Sequence, residues 1–134
     1  MTRAVLADAG PLYAAVDEAD QHHREARQQL QKLDAERCDV VIAYPTLLEA
    51  YSLVLYRLGV AAAHKWIGFL DAAAFINLDS EDYGRAVITV RNFPDQGITL
   101  VDATVAALAL RLGLEVWTYD HHFDVMRVPV WRRS

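Results

Sequence analysis

The sequence predicts an α/β fold with a central parallel sheet and helices on both of its faces. Short apolar runs lack in/out alternation, which marks strands buried on both sides. They alternate with longer stretches of helical periodicity, and no internal repeat, low-complexity segment or Pro/Gly/Ser-rich linker interrupts the alternation.

In chain order, Val5-Leu6-Ala7 is the first strand candidate, followed by helical patterns over 11–18 and 20–35, the second with Asp20 as its cap. Val40-Val41-Ile42-Ala43 is the second strand. A helix over 45–58 ends at Gly59, and another is expected over 60–73. Phe75-Ile76-Asn77-Leu78 forms the third strand candidate. The acidic run Asp79-Ser80-Glu81-Asp82 caps a helix over 80–92, and a helix over 100–112 ends at Gly113. Glu115-Val116-Trp117-Thr118 is the fourth strand. Val128-Pro129-Val130-Trp131 contains a proline and so belongs at an edge. Strands alternating with helices imply βαβ units with right-handed crossovers.

A length of 134 residues suits one domain over 1–134 and is too short for two. The composition, 54% hydrophobic and 23% charged, excludes a disordered or collagen-like chain. Cys38 is the single cysteine, so there is neither a disulfide framework nor a Cys-based zinc site, and a cytoplasmic location is expected. No apolar stretch approaches the ~18 residues that span a bilayer. The net charge of −5 opposes nucleic-acid binding, unless part of it is concentrated where divalent cations are held.

Parallel strands all end on one edge of a sheet, and open α/β sheets bind ligands beyond those ends. Asp8 ends the first strand. Glu49 falls in the first turn of the helix that begins at Pro45, Asp102 in the first turn of the helix that begins at Leu100, and Asp120 follows the fourth strand. Singly, each has a plain structural explanation. Thr46-x-x-Glu49 fits a capping box, Thr99-x-x-Asp102 resembles one, and Asp8 and Asp120 suit turns. Together they differ, because the 100–112 helix is apolar almost all round and puts Asp102 at the edge of a core. Gathered carboxylates repel unless a cation is present. Oxygen-only ligands favour Mg²⁺, with Mn²⁺ possible, over Zn²⁺, and such a centre suits phosphodiester hydrolysis. From the residues alone, the substrate of this phosphate-active site stays open.

The chain also resembles the PIN-domain family, in particular the VapC-type toxins of prokaryotic toxin–antitoxin pairs. The matching stretches are Val5 to Leu12, Leu47 to Tyr51, Ile98 to Ala103 and Thr118 to Phe123, in that order and spacing. The resemblance implies a three-layer α/β sandwich and an endoribonuclease that hydrolyses RNA with metal-activated water. Asp8, Glu49, Asp102 and Asp120 would be the catalytic, metal-binding carboxylates, supported by Thr118. Asp124 would be a further carboxylate ranked below Asp120, and Asp95 resembles a position often acidic in the family, though a Pro-Asp turn explains it equally.

His22 and His23 are adjacent on a helix and point apart, so they read as surface. His121 and His122 lie beside Asp120, where contact with RNA or phosphate competes with a structural role, and a zinc site would need Cys or further His partners. Arg127, Arg132 and Arg133 form a basic C-terminal cluster that reads best as a solvated tail. A receiver-type phospho-acceptor domain should carry paired acids after the first strand and a late-strand lysine, and neither is seen. A dehalogenase-type phosphatase needs an aspartate where Gly10 stands. A catalytically inactive PIN fold that only binds is the remaining alternative.

Finally, Leu47, Leu48, Tyr51, Leu53, Val54, Leu55, Tyr56 and Leu58 cover more of one helix than a sheet can bury, and Trp66, Ile67, Phe69 and Leu70 follow on the next. Either the two helices bury each other or another chain covers them. The resemblance favours the second, implying a homodimer and a VapB-like antitoxin whose basic side chain reaches the acids.

Overall fold

The computed structural model describes residues 3–132, and not the side chain of Ala72. Four parallel strands, β1 (Arg3–Ala7), β2 (Cys38–Ala43), β3 (Ala74–Ile76) and β4 (Glu115–Trp117), form a sheet in the order β3-β2-β1-β4. Val5 pairs with Val40 on one side and Glu115 on the other, so β1 is central. Pairing continues past β1 through a hydrogen bond from Asp8 N to Trp117 O at 2.9 Å. Beyond β4, Val130 makes a single parallel bridge to Val116. The expected fifth strand is thus one rung at the edge, where a proline is tolerated.

Alternate strand residues enter two cores. Val5, Ala7, Ile42 and Trp117 pack under α1 (Ala9–Ala14), α2 (His23–Ala35), α3 (Tyr44–Leu58) and α4 (Val60–Phe69). Leu6, Ala43 and Val116 pack under α5 (Ser80–Asn92), α6 (Leu100–Leu112) and α7 (His122–Val125). Two apolar faces explain why the strands read as unbroken apolar runs, and they produce a three-layer sandwich.

The helix limits follow local chemistry. Asp79 and Asp82 form a full capping box on α5, Thr99 caps α6 by accepting from Asp102 N, and Gly113 ends α6 in the left-handed region at φ 68°. The expected helix over 11–18 is instead α1 at 9–14, and the next helix begins only at His23. Between them, Asp17 accepts from Ala19 N at 3.0 Å and Asp20 from His22 N at 2.8 Å, so these carboxylates hold turns in competition with helix. Asp20 therefore steadies the approach to α2 rather than capping it. The helix expected over 60–73 stops at Phe69, with a short 3₁₀ turn at Leu70–Ala72. Among the described residues no helix is long and apolar enough to cross a membrane.

Candidate active site

Asp8 directly follows β1 and is 5% exposed. It occupies the position before α1 but makes no capping bond there; its Oδ2 accepts from Thr118 Oγ1 at 2.8 Å. The Thr118 hydroxyl in turn accepts from Asp120 N at 3.0 Å. One threonine just past β4 thereby ties Asp8 to Asp120. The simple turn proposed for Asp8 does not account for this arrangement.

Glu49 lies in the second turn of α3, because the helix starts at Tyr44. Thr46 is inside the helix and fully buried, and its hydroxyl has no hydrogen-bond partner among the described residues, so the Thr46/Glu49 capping box does not form. Half-buried Glu49 is left facing the carboxylates. Asp102 sits in the first turn of α6 and is 7% exposed, within a helix buried from Asp102 to Ala109.

Asp8, Glu49, Asp102 and Asp120 line one open cleft of about 390 Å³ with Ala9, Gly10, Leu53, Thr99 and Tyr119. Burial pushes the Asp8 carboxyl up to about 6 against the opposing pull of Thr118, and the Glu49 and Asp120 charges push the same way. Asp102 is pushed up to about 7, first by burial and then by the charges of Asp8 and Asp120. Glu49 is raised by burial and by Asp102. These are carboxylates short of positive charge, and an all-oxygen set of this kind fits a hard divalent cation.

Asp124 does not line this cleft. Both its oxygens take the Arg132 guanidinium, at 2.8 and 2.9 Å, on an exposed surface. Arg132 is thereby part of an ion pair rather than a free tail, Arg127 is exposed, and Arg133 lies outside the described residues. Asp95 is exposed in a turn closed by Gln96 N to Phe93 O and does not line the cleft. His22 and His23 do point apart. His23 Nδ1 is 2.8 Å from Ala14 O, while the half-buried His22 stacks on Tyr119 with ring centres 4.4 Å apart, so neither is plain helix surface.

Gln29 and Tyr119 are positions that sequence reasoning missed. Gln29 Oε1 accepts from Trp117 Nε1 at 2.8 Å and from Tyr119 OH at 2.6 Å, holding the ring that walls the cleft. Their separations of 88 and 90 residues leave no local signal in the chain. On α3 and α4, Val54 and Trp66 are buried and Tyr51 packs beside Trp66, yet Leu48, Tyr56, Ile67 and Phe69 remain exposed. Mutual burial accounts for only part of the apolar excess.

A family model described as PIN domain matches residues 5–129. No curated protein matches the chain. Among solved structures, the chain is similar to Mycobacterium tuberculosis VapC20, a sarcin-ricin loop cleaving toxin. The two share 19% identity over 96% of this chain and 99% of that one, with a TM-score of 0.82. It is similar to a chain of Rickettsia felis VapBC2 bound to a DNA fragment from its promoter, at 15% identity, 96% and 97% coverage and a TM-score of 0.74. A toxin–antitoxin complex from Klebsiella pneumoniae matches at 20% identity, 87% coverage of each chain and a TM-score of 0.64.

Proposed function

The chain belongs to the PIN-domain family, and on that premise we propose that its acid cleft is the centre of a Mg²⁺- or Mn²⁺-dependent endoribonuclease. The observation that supports this most is the convergence of Asp8, Glu49, Asp102 and Asp120 from four parts of the chain, with burial pushing the Asp8 and Asp102 carboxyls well above the ordinary carboxylate range. Such carboxylates gain a stable charged form when a cation joins them.

Asp8, Glu49, Asp102 and Asp120 would hold the metal. When bound, a hard divalent cation supplies water of lowered pKa and positive charge opposite the phosphate oxygens. The chain's own part is orientation. Thr118 fixes the rotamer of Asp8, the first turn of α6 favours the anionic form of Asp102, and Gln29 holds Tyr119 against the cleft. The openness of the cleft leaves a backbone phosphate room to reach the acids.

The role we assign is that of the toxin in a VapBC-type pair, acting in the cytoplasm. The exposed Leu48, Tyr56, Ile67 and Phe69 offer an apolar seat for the antitoxin and for a second copy, and an antitoxin arginine would satisfy the carboxylates in place of metal. The test is cleavage of RNA by the purified chain with Mg²⁺ and with chelator. We expect metal-dependent cleavage by wild type and none by Asp102→Asn. Cleavage by Asp102→Asn at the wild-type rate would overturn the assignment.

A further inference from the structure

Two neighbouring imidazoles turn towards one oxygen beside the acid cleft. His122 Nδ1 lies 3.2 Å and His121 Nδ1 3.7 Å from the same Asp120 Oδ1, with ring centres 4.3 Å apart. Adjacent residues at a helix start normally diverge by about 100°, whereas here Asp120 Oδ1, which also accepts from His122 N at 2.9 Å, faces both rings. One ligand atom from each residue lies within 4.8 Å of the other two, the sole such His/Cys/Asp/Glu group of three among the described residues.

The geometry points to a second metal site, for a borderline ion of the Zn²⁺ class, made by Asp120, His121 and His122. Zn–N and Zn–O bonds of about 2.0–2.1 Å in a tetrahedron place neighbouring ligand atoms roughly 3.3 Å apart. The separations of 3.2 and 3.7 Å bracket that edge. A second observation concerns direction. The His122 Nδ1 atom is buried and forms no hydrogen bond among the described residues, although Asp120 Oδ1 is only 3.2 Å away. A nitrogen that ligates a tetrahedral ion aims at the ion, off the line to its fellow ligand, and so misses the alignment of a hydrogen bond. His121, 76% exposed in its side chain, leaves the fourth position to water.

Imidazole nitrogens select Zn²⁺ over Mg²⁺, so the site differs in kind from the oxygen-only cleft with which it shares Asp120. An ion held here engages the carboxylate that the cleft needs. Zn²⁺ should therefore inhibit the Mg²⁺-dependent reaction, a consequence that rests on the nuclease reading, whereas the binding itself does not.

Co²⁺ in place of Zn²⁺ reads the site without any activity, through the intense visible bands of four-coordinate cobalt. Tag-free protein titrated with Co²⁺ should show those bands, and Zn²⁺ should abolish them while Mg²⁺ in excess does not. Exposed His121 can be changed without disturbing the core, and His121→Ala should weaken Co²⁺ binding at least about tenfold. Absence of the bands, or equal bands in His121→Ala, would overturn the site. Failure of wild type to cleave RNA with Mg²⁺ would count against the nuclease reading alone and leave the spectrum to decide this one. If cleavage occurs, micromolar Zn²⁺ should inhibit wild type more than His121→Ala, and equal inhibition would overturn the regulatory half.

Discussion

Thr118 donates its hydroxyl hydrogen to Asp8 at 2.8 Å while accepting from the backbone of Asp120, so the ends of the two paired strands β1 and β4 share one oriented contact. A hydroxyl has a single hydrogen, and here it is committed to Asp8. Thr118→Val keeps the shape and removes the donor. Outer partners of metal ligands typically contribute 10–100-fold to metal affinity, so Mg²⁺ binding by calorimetry should weaken by about that factor. Thr118→Ser should retain binding. Equal affinities for wild type and valine variant would make Thr118 a space-filler.

For Asp102→Asn, the expected loss of RNA cleavage exceeds about 100-fold, because a direct ligand should contribute more than an outer partner. The same change should raise the melting temperature without metal, since the burial and repulsion that push Asp102 up to about 7 are relieved. Wild type should gain more from added Mg²⁺ than the variant does. A variant less stable than wild type in chelator would show that Asp102 is structural.

Asp120 and Asp124 separate cleanly in the structure, one lining the cleft and the other paired with Arg132. Asp124→Asn should leave metal binding and cleavage within about twofold and alter stability by no more than the 0–1 kcal/mol of a surface ion pair. Asp120→Asn should weaken Mg²⁺ binding. The reverse pattern would require the loop after β4 to rearrange when metal binds.

The order of strands and helices was legible because β1 and β2 are buried on both faces, and because Asp79, Thr99 and Gly113 mark helix ends by local chemistry. Residues 15–22 were not, since their helical periodicity is overruled by Asp17 and Asp20 bonding to nearby backbone. The convergence of the four acids could be inferred from strand polarity alone. Which acid faces the cleft could not: the choice between Asp120 and Asp124 depends on Arg132, and the position of Tyr119 on distant Gln29. Such pairings exist only after folding.

Asp82 tests how α5 is fastened to the C-terminal end of α6. Its side chain is wholly buried, accepts from Arg111 Nε at 2.9 Å and Nη2 at 2.8 Å and pairs with Arg85, which fastens α5 to α6. Removing one partner of a buried pair costs 3–5 kcal/mol, and Asp82→Asn should fall near 3 because both arginines are half exposed and can rehydrate. Asp79→Ala, which loses a cap and a long 3.9 Å contact with Arg111 at the surface, should cost about 1 kcal/mol. Urea unfolding of the two variants should rank them in that order, and equal costs would mean that the arginines contribute nothing beyond the cap.

The raised carboxyls also set how stability varies with pH in the absence of metal. Asp8 at about 6 and Asp102 at about 7 titrate well above their ordinary 3.8, so the folded chain holds more protons than the unfolded one between roughly pH 4 and 7. Their contribution is fully present below pH 4 and is lost as pH rises through 6 to 7. For Asp8, a shift of about two units at 1.36 kcal/mol each corresponds to about 3 kcal/mol. Asp82 works the other way: its arginine partners hold its carboxyl well below the usual range, so its contribution is lost only in stronger acid. Stability in chelator should therefore be greatest near pH 4 and fall towards pH 7.5, measured by urea unfolding. Asp8→Asn should flatten that fall, and Mg²⁺ at pH 7.5 should reverse it in wild type, because a bound cation replaces the missing protons. A profile equally steep in Asp8→Asn, or insensitive to Mg²⁺, would place the titrating groups outside the cleft.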